Sequence, residues 1–205
     1  LRGWRLLFAS GPYAFGPGGE IGPEPALWEL RGGEPRPRKL LDLAGEESAL
    51  ELSPDGRRLL FAYRHRPRSA LFELWASDAD GGGARRIAGP FATLSYTWSP
   101  DGSRVAIVAT TPDGDRRQHL YVTSSRGGPL RQLSGEELLG TEPAWTPGGR
   151  WIAYATPDGA IEKIRLRGGE PERIARFDGE HVRNLLWSPD GKRLAYSSEE
   201  VIESD

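Results

Sequence analysis

The run Trp187-Ser188-Pro189-Asp190-Gly191-Lys192-Arg193-Leu194-Ala195-Tyr196 decides the fold of this chain. Its first half reads as a turn. Pro presets φ near about −65° for the first turn position, Asp suits the second, and Gly takes the left-handed position that returns the chain to a ladder. Its second half reads as a strand. Large apolar residues alternate (Leu194, Tyr196) with a smaller one between, the pattern of a strand covered on both faces.

The same pattern recurs along the chain. Ser-Pro-Asp-Gly stands at Ser53 to Gly56, at Ser99 to Gly102 and at Ser188 to Gly191, with the variant Thr146-Pro147-Gly148-Gly149 between the last two. The closing glycines are roughly 45 residues apart, a period that signals a repeat architecture. Gly3 begins a partial copy upstream. Each glycine precedes an alternating strand, with Leu59 and Phe61, Val105 and Ile107, and Ile152 and Tyr154 as the large residues.

Further strands surround this one. A third strand is expected over Ala26 to Leu30, Leu71 to Trp75, His119 to Thr123 and Ala160 to Leu166, each ending near a glycine pair. A short fourth strand follows around Arg38 to Leu41, Arg85 to Ile87, Leu130 to Leu133 and Glu172 to Ala175. A first strand precedes each turn, at Ala49 to Leu52, Leu94 to Trp98, Pro143 to Trp145 and Arg183 to Trp187. The repeat is therefore four antiparallel strands, a–b–c–d. One such sheet cannot bury both its faces, and stacking copies around an axis does, so the reading is all-β, a β-propeller.

The turn residues Pro54, Asp55, Gly56, Pro100, Asp101, Gly102, Pro147, Gly149, Pro189, Asp190 and Gly191 are assigned to structure. A role for Asp55, Asp101 and Asp190 as metal ligands or acids is set aside, because the same residues form a turn wherever a hairpin needs one. The strand tryptophans are assigned to packing.

The segments Trp187 to Tyr196 and Trp98 to Ala106, together with Leu120-Tyr121-Val122 and the Gly-Gly-x-x-Arg-x-Leu of Gly127 to Leu133, resemble the WD-like propeller repeat of TolB. Tricorn-type proteases and the N-terminal propellers of prolyl oligopeptidase relatives carry similar repeats. The resemblance covers nearly the whole chain and implies architecture more than function. Two departures stand out. Gly148 replaces the usual Asp, so that turn is expected to differ, and the Gly/Pro-rich linker from Ser10 to Pro25 is expected to protrude.

The copies divide the chain into a partial blade at 1–43, blades at 44–89, 90–135 and 136–179, and a partial blade at 180–205. Seventeen strands do not close a ring of four-stranded blades. With no Met at position 1, the expectation is an incomplete arc of a ring of six or more blades, with exposed sheet edges.

Candidate binding residues follow from the topology. In a propeller the d–a and b–c connections share one end, where ligand sites usually lie. The d–a connections are read as acidic, with Glu46, Glu47, Glu136, Glu137, Glu142 and Glu180, next to His181. Two b–c connections are basic, with Arg64, His65 and Arg66 in one and Arg116, Arg117 and His119 in the other. The charge pattern suits docking of a complementary protein or peptide; loops that merely solvate and compensate one another are the competing reading.

Other chemistry finds little support. The net charge is −2, which favours neither nucleic acid nor an anionic membrane. Cysteine is absent, removing disulfides and thiolate sites. His65, His119 and His181 lie on different repeats without metal-ligand spacing, so no metal or other cofactor is expected. There is no G-x-S-x-G nucleophile motif and no phosphate loop; Gly16 to Gly22 misses the dinucleotide fingerprint by one position. No apolar run is long enough to span a bilayer.

The reading is a non-catalytic TolB-like propeller that binds a protein, peptide or glycan outside the cytoplasm, in the periplasm or secreted, with oligomeric state open. Two alternatives stand beside it. One is the propeller of a prolyl oligopeptidase-type serine peptidase whose catalytic domain lies elsewhere, which would place the chain in the cytoplasm. The other is the sensor domain of a membrane receptor or anti-sigma factor.

Overall fold

The computed structural model describes residues 5–10, 26–42, 46–64, 70–138 and 142–200. The Ser10 to Pro25 linker falls almost wholly outside them. The described residues contain seventeen strands and no helix, and none of the structure offers a helix long and apolar enough to cross a membrane. Two compact units divide the chain, Leu1–Gly89 and Pro90–Asp205.

The first unit holds two sheets. The first comprises β1 (Arg5–Ser10), β2 (Ala26–Arg31) and β3 (Arg38–Asp42) in sequence order. The second comprises β4 (Glu46–Leu52), β5 (Arg58–Arg64), β6 (Phe72–Asp78) and β7 (Arg85–Phe91), again as an antiparallel meander. Leu27 of β2 packs with Leu59, Phe61 and Tyr63 of β5, and Leu7, Leu40, Leu50 and Trp75 close around them. The alternating residues named from the sequence are thus the ones that join one sheet to the next.

The second unit holds three. The third sheet runs β8 (Thr93–Trp98), β9 (Arg104–Thr110), β10 (His119–Ser124), β11 (Arg131–Gln132). The fourth runs β12 (Ala144–Trp145), β13 (Trp151–Ala155), β14 (Ala160–Arg165), β15 (Glu172–Arg176). The fifth pairs β16 (Glu180–Trp187) with β17 (Leu194–Glu200).

The fourth sheet has two apolar faces. One packs Tyr154, Ile152 and Ile164 against Val108, Leu120 and Val122 of the third sheet. The other packs Ala153, Ala155 and Ile161 against Val182 and Leu185 of the fifth. Each fully buried Ile or Leu contributes about 1.5–3 kcal/mol. These are stacked four-stranded meanders, and the fold is that of a β-propeller.

The turns explain why the motif recurs. In the three Ser-Pro-Asp-Gly copies the Ser hydroxyl donates to the Asp carboxylate at 2.6 Å and accepts from the N–H of Arg58, Arg104 or Arg193 at 2.9 Å. The Asp also accepts from the N–H two residues on. Each glycine N–H closes the turn on the Ser carbonyl at 2.8 Å, with φ of 70°, 67° and 69° at Gly56, Gly102 and Gly191.

The variant turn keeps this shape. Gly149 has φ 65° and closes on the Thr146 carbonyl at 2.8 Å. What Gly148 removes is the carboxylate anchor, leaving the Thr146 hydroxyl to accept from the Trp151 N–H at 3.3 Å.

Candidate functional site

The b–c and d–a connections of the second unit form the best-defined loop cluster. The chain leaves β9 through Thr111-Pro112-Asp113-Gly114, a turn closed by the Gly114 N–H on the Thr111 carbonyl at 3.2 Å. Arg116 then takes a positive φ of 67° and stays exposed. Asp115 accepts from the Arg117 N–H at 2.9 Å, which holds its carboxyl below the usual range, with His119 adding to the effect.

His119 joins this loop to the next one. It is the first residue of β10 and is buried, rather than lying in the connection. Its Nε2 lies 3.1 Å from both Asp115 carboxylate oxygens, and its Nδ1 lies 3.0 Å from the Glu136 carbonyl. Oxygen acceptors thus face both ring nitrogens. The Leu138 N–H donates to the Gln118 carbonyl at 2.8 Å, and Arg117 reaches Glu137 at 3.7 Å with both side chains about half exposed. A basic b–c loop and an acidic d–a loop therefore meet and partly neutralise each other, with Glu136 and Glu142 exposed beside them.

The other expected residues divide. Glu180 and His181 do not lie in a connection. They begin β16, paired with Glu200 and Glu199. Likewise Glu46 and Glu47 belong to β4, opposite Arg64 and Tyr63. Both inner strands start earlier than the hydrophobic pattern indicated, because their first residues still find ladder partners. Glu180 and His181 line a separate cleft of about 610 Å³ with Asp158, Arg176 and Asp178. There Arg176 bridges Asp178 at 2.8 Å and Asp158 at 3.2 Å, and Asp158 is held low by the Thr156 hydroxyl first and by Arg176 after it. Arg64 is half-buried, its guanidinium 4.8 Å from the centre of the Phe72 ring. His65 and Arg66 lie outside the described residues.

Two features went unread in the sequence. Thr156-Pro157-Asp158-Gly159 repeats the turn device at the b–c end of the fourth sheet, with the Thr156 hydroxyl donating to Asp158 at 2.5 Å. It follows Thr111-Pro112-Asp113-Gly114 by one repeat period, so the two form a second series of turns beside the a–b turns. The second is a recurring pair of a carboxylate on strand c and an arginine on strand d: Glu29 with Arg38 at 2.9 Å, Glu73 with Arg86 at 2.9 Å, and Glu162 with Arg173 at 3.5 Å. Glu29, 1% exposed, is also held by Arg31 at 3.1 Å. Glu162 accepts from the Tyr154 hydroxyl at 3.4 Å, and burial first and this carboxylate second push the Tyr154 phenol well up. These are framework pairs. Among the described residues, no three His, Asp or Glu side chains converge as a metal site would require.

Stacked antiparallel meanders, three of them opening on a Ser-Pro-Asp-Gly turn between their first two strands, define a TolB-like β-propeller. The chain belongs to the family of the lipoprotein LpqB β-propeller domain, whose profile matches residues 73–200. It is 28% identical over 148 residues to the uncharacterized peptidase YuxL of Bacillus subtilis, a match covering 70% of this chain and 22% of that protein. Among solved structures it is similar to the putative TolB of Agrobacterium tumefaciens, with a TM-score of 0.67, 22% identity, and coverage of 90% of this chain and 66% of that one. The TolB of Acinetobacter baumannii superposes with a TM-score of 0.64 and 18% identity, over 84% of this chain and 42% of its own. The chain thus spans less than two thirds of each of these relatives, and the structural likenesses speak to fold.

Proposed function

We propose that this chain is a non-catalytic binding module acting outside the cytoplasm, which docks a protein or peptide on the end carrying the b–c and d–a connections. The observation that carries this reading is the His119 junction. By bridging Asp115 and the Glu136 carbonyl, it ties two loops together beside the Leu138–Gln118 hydrogen bond, and Arg116, Arg117, Glu136, Glu137 and Glu142 stand exposed on them. A preorganised, charged loop surface loses little entropy on binding and selects a partner by charge complementarity. Arg64 at the end of β5, and Glu46 and Glu47 at the start of β4, stand at the corresponding strand ends of the second sheet, with His65 and Arg66 next to Arg64 in the sequence; Glu180 and His181 offer a second, cleft-like position.

A photo-crosslinking residue placed at Arg116 in the intact protein tests this. Crosslinks to one protein or peptide from position 116, and not from Arg57 at the turn end of the second sheet, support the reading. Equal capture from both positions, or from neither, removes it.

The match to YuxL favours a second reading, in which the propeller screens substrates for a peptidase domain on the same protein. Labelling of the intact protein by a fluorophosphonate probe for active serine hydrolases supports this alternative; an unlabelled protein with a crosslinked partner supports the first.

A further inference from the structure

We propose that a groove between the third and fourth sheets binds a phosphate-rich polyanion. It has a volume of about 1030 Å³ and is lined by Arg104, Arg131, Arg150, Trp151, Arg165 and Arg167, without a carboxylate in its lining. All belong to the second unit, and the groove lies at the a–b turn end of these sheets, away from the loops considered above. The site is independent of that docking reading.

The placement follows from the strand register. Arg104 begins β9 and Arg150 directly precedes β13, each just past a turn glycine. Arg165 and Arg167 follow at the end of β14, and Arg131 begins β11. Five guanidinium groups therefore gather in one groove of a chain whose net charge is −2. Like charges brought together raise the energy of the empty groove, and an anion relieves it.

The cations differ in how far they are already engaged. Lys163 and Arg165 each lie 4.7 Å from the centre of the Trp151 ring and share Glu172, at 3.2 and 3.8 Å. Arg131 donates to the Leu166 carbonyl. Among the described residues, Arg104, Arg150 and Arg167 form no ion pair. Gly149 lines the groove, and Gly168 lies beside the Arg131 guanidinium, so two positions near its floor carry no side chain.

The convergence selects phosphate over carboxylate. One guanidinium satisfies a carboxylate through a planar, two-bond fork. A phosphate presents oxygens in three directions and accepts from several guanidinium groups at once. Arginines that approach from three strands and two loops suit the second geometry, and a volume of about 1030 Å³ holds more than one phosphate group.

The test titrates the full chain with inorganic tripolyphosphate, following heat and tryptophan fluorescence at low and high salt. The expected result is one saturable event per chain that weakens with salt. Combined Arg104→Gln and Arg150→Gln weakens it by about tenfold or more, and Arg150→Lys, which keeps the charge and loses the fork, weakens it as well. Removing the same charge elsewhere, by Arg57→Gln and Arg85→Gln, leaves it within about twofold. Trp151→Phe abolishes most of the fluorescence change while the heat persists. Should the groove variants misfold by circular dichroism, Arg167→Gln alone decides the point. The proposal is overturned by non-saturable binding, by equal losses in the groove and control variants, or by trigalacturonate or a glutamate hexapeptide binding as tightly as tripolyphosphate.

Discussion

The ring of Pro147 lies against Gly191, with its Cδ 3.5 Å from the point where a Cβ on that glycine would stand. Pro100 lies the same way against Gly149, at 3.8 Å. The turns of the third, fourth and fifth sheets therefore touch in sequence, each proline seated on the glycine of the next copy. A side chain at Gly149 or Gly191 would have room, so the conformation is what demands glycine there.

Substitutions at the glycines should separate strain from collision. Gly191→Ala meets only a left-handed backbone and is expected to cost about 1–2 kcal/mol. Gly159→Ala adds a Cβ that would lie 2.1 Å from the Phe177 carbonyl oxygen, in a turn that also accepts the Phe177 N–H. Its cost is expected to exceed about 4 kcal/mol. Urea midpoints of the two variants give the comparison; similar midpoints would contradict it.

Acid should act through the turn aspartates. The hydroxyls of Ser53, Ser99 and Ser188, first among several hydrogen bonds, hold Asp55, Asp101 and Asp190 below the usual carboxylate range. A depressed folded pKa contributes stability above the unfolded value, near about 3.9, that disappears as pH falls through the folded value. The triple variant Ser53→Ala, Ser99→Ala, Ser188→Ala should be less stable than the parent at neutral pH. The part of that difference carried by the aspartates should shrink as pH falls below the unfolded carboxylate value and through the lower folded one. A gap of constant size across the acid range, in denaturant melts, would contradict this.

His119→Ala should loosen two loops at once. It strips a partner from Asp115 and from the Glu136 carbonyl, and a loss of about 1–3 kcal/mol is expected. Hydrogen exchange should speed at Leu138, whose N–H bonds the Gln118 carbonyl, while Ile107 in β9 keeps its protection. Uniform exchange across both positions would mean that the histidine holds the sheet rather than the loops.

The pairs between strands c and d should differ in strength. Arg38→Ala takes one of its two arginines from Glu29, which is 1% exposed, and should cost about 1–3 kcal/mol. Arg173→Ala removes a looser contact of 3.5 Å, and Glu162 keeps the Tyr154 hydroxyl, so it should cost at most about 1 kcal/mol. Thermal melts of the two variants should rank them in that order.

Much of this arrangement was legible in the sequence, because the turn chemistry and the period-two alternation are both local. Gly56, Gly102 and Gly191 take the left-handed conformation that the turn required, Leu59 and Ile152 fill the spaces between sheets, and Ile107 is fully buried. What escaped depends on neighbours that are distant in the chain. Glu180 and His181 looked like loop residues because no apolar residue marks the start of β16; only pairing with β17 makes them strand. Glu29 and Glu162 carry no local mark of burial, and the arginines that pair with them stand one strand away. The groove at Arg150 and Trp151 gathers residues from four strands and their flanking turns, with no contiguous basic run to announce it.

The fourth sheet meets the third through one set of side chains and the fifth through another. Such a molecule, stretched in a force spectrometer, has no single seam whose rupture frees everything. The two-stranded fifth sheet should peel away first, at low force, as its Val182 and Leu185 leave Ala153 and Ile161. The Tyr154 to Leu120 seam should then give a separate, later peak, so the trace should show a staircase of extensions rather than one jump.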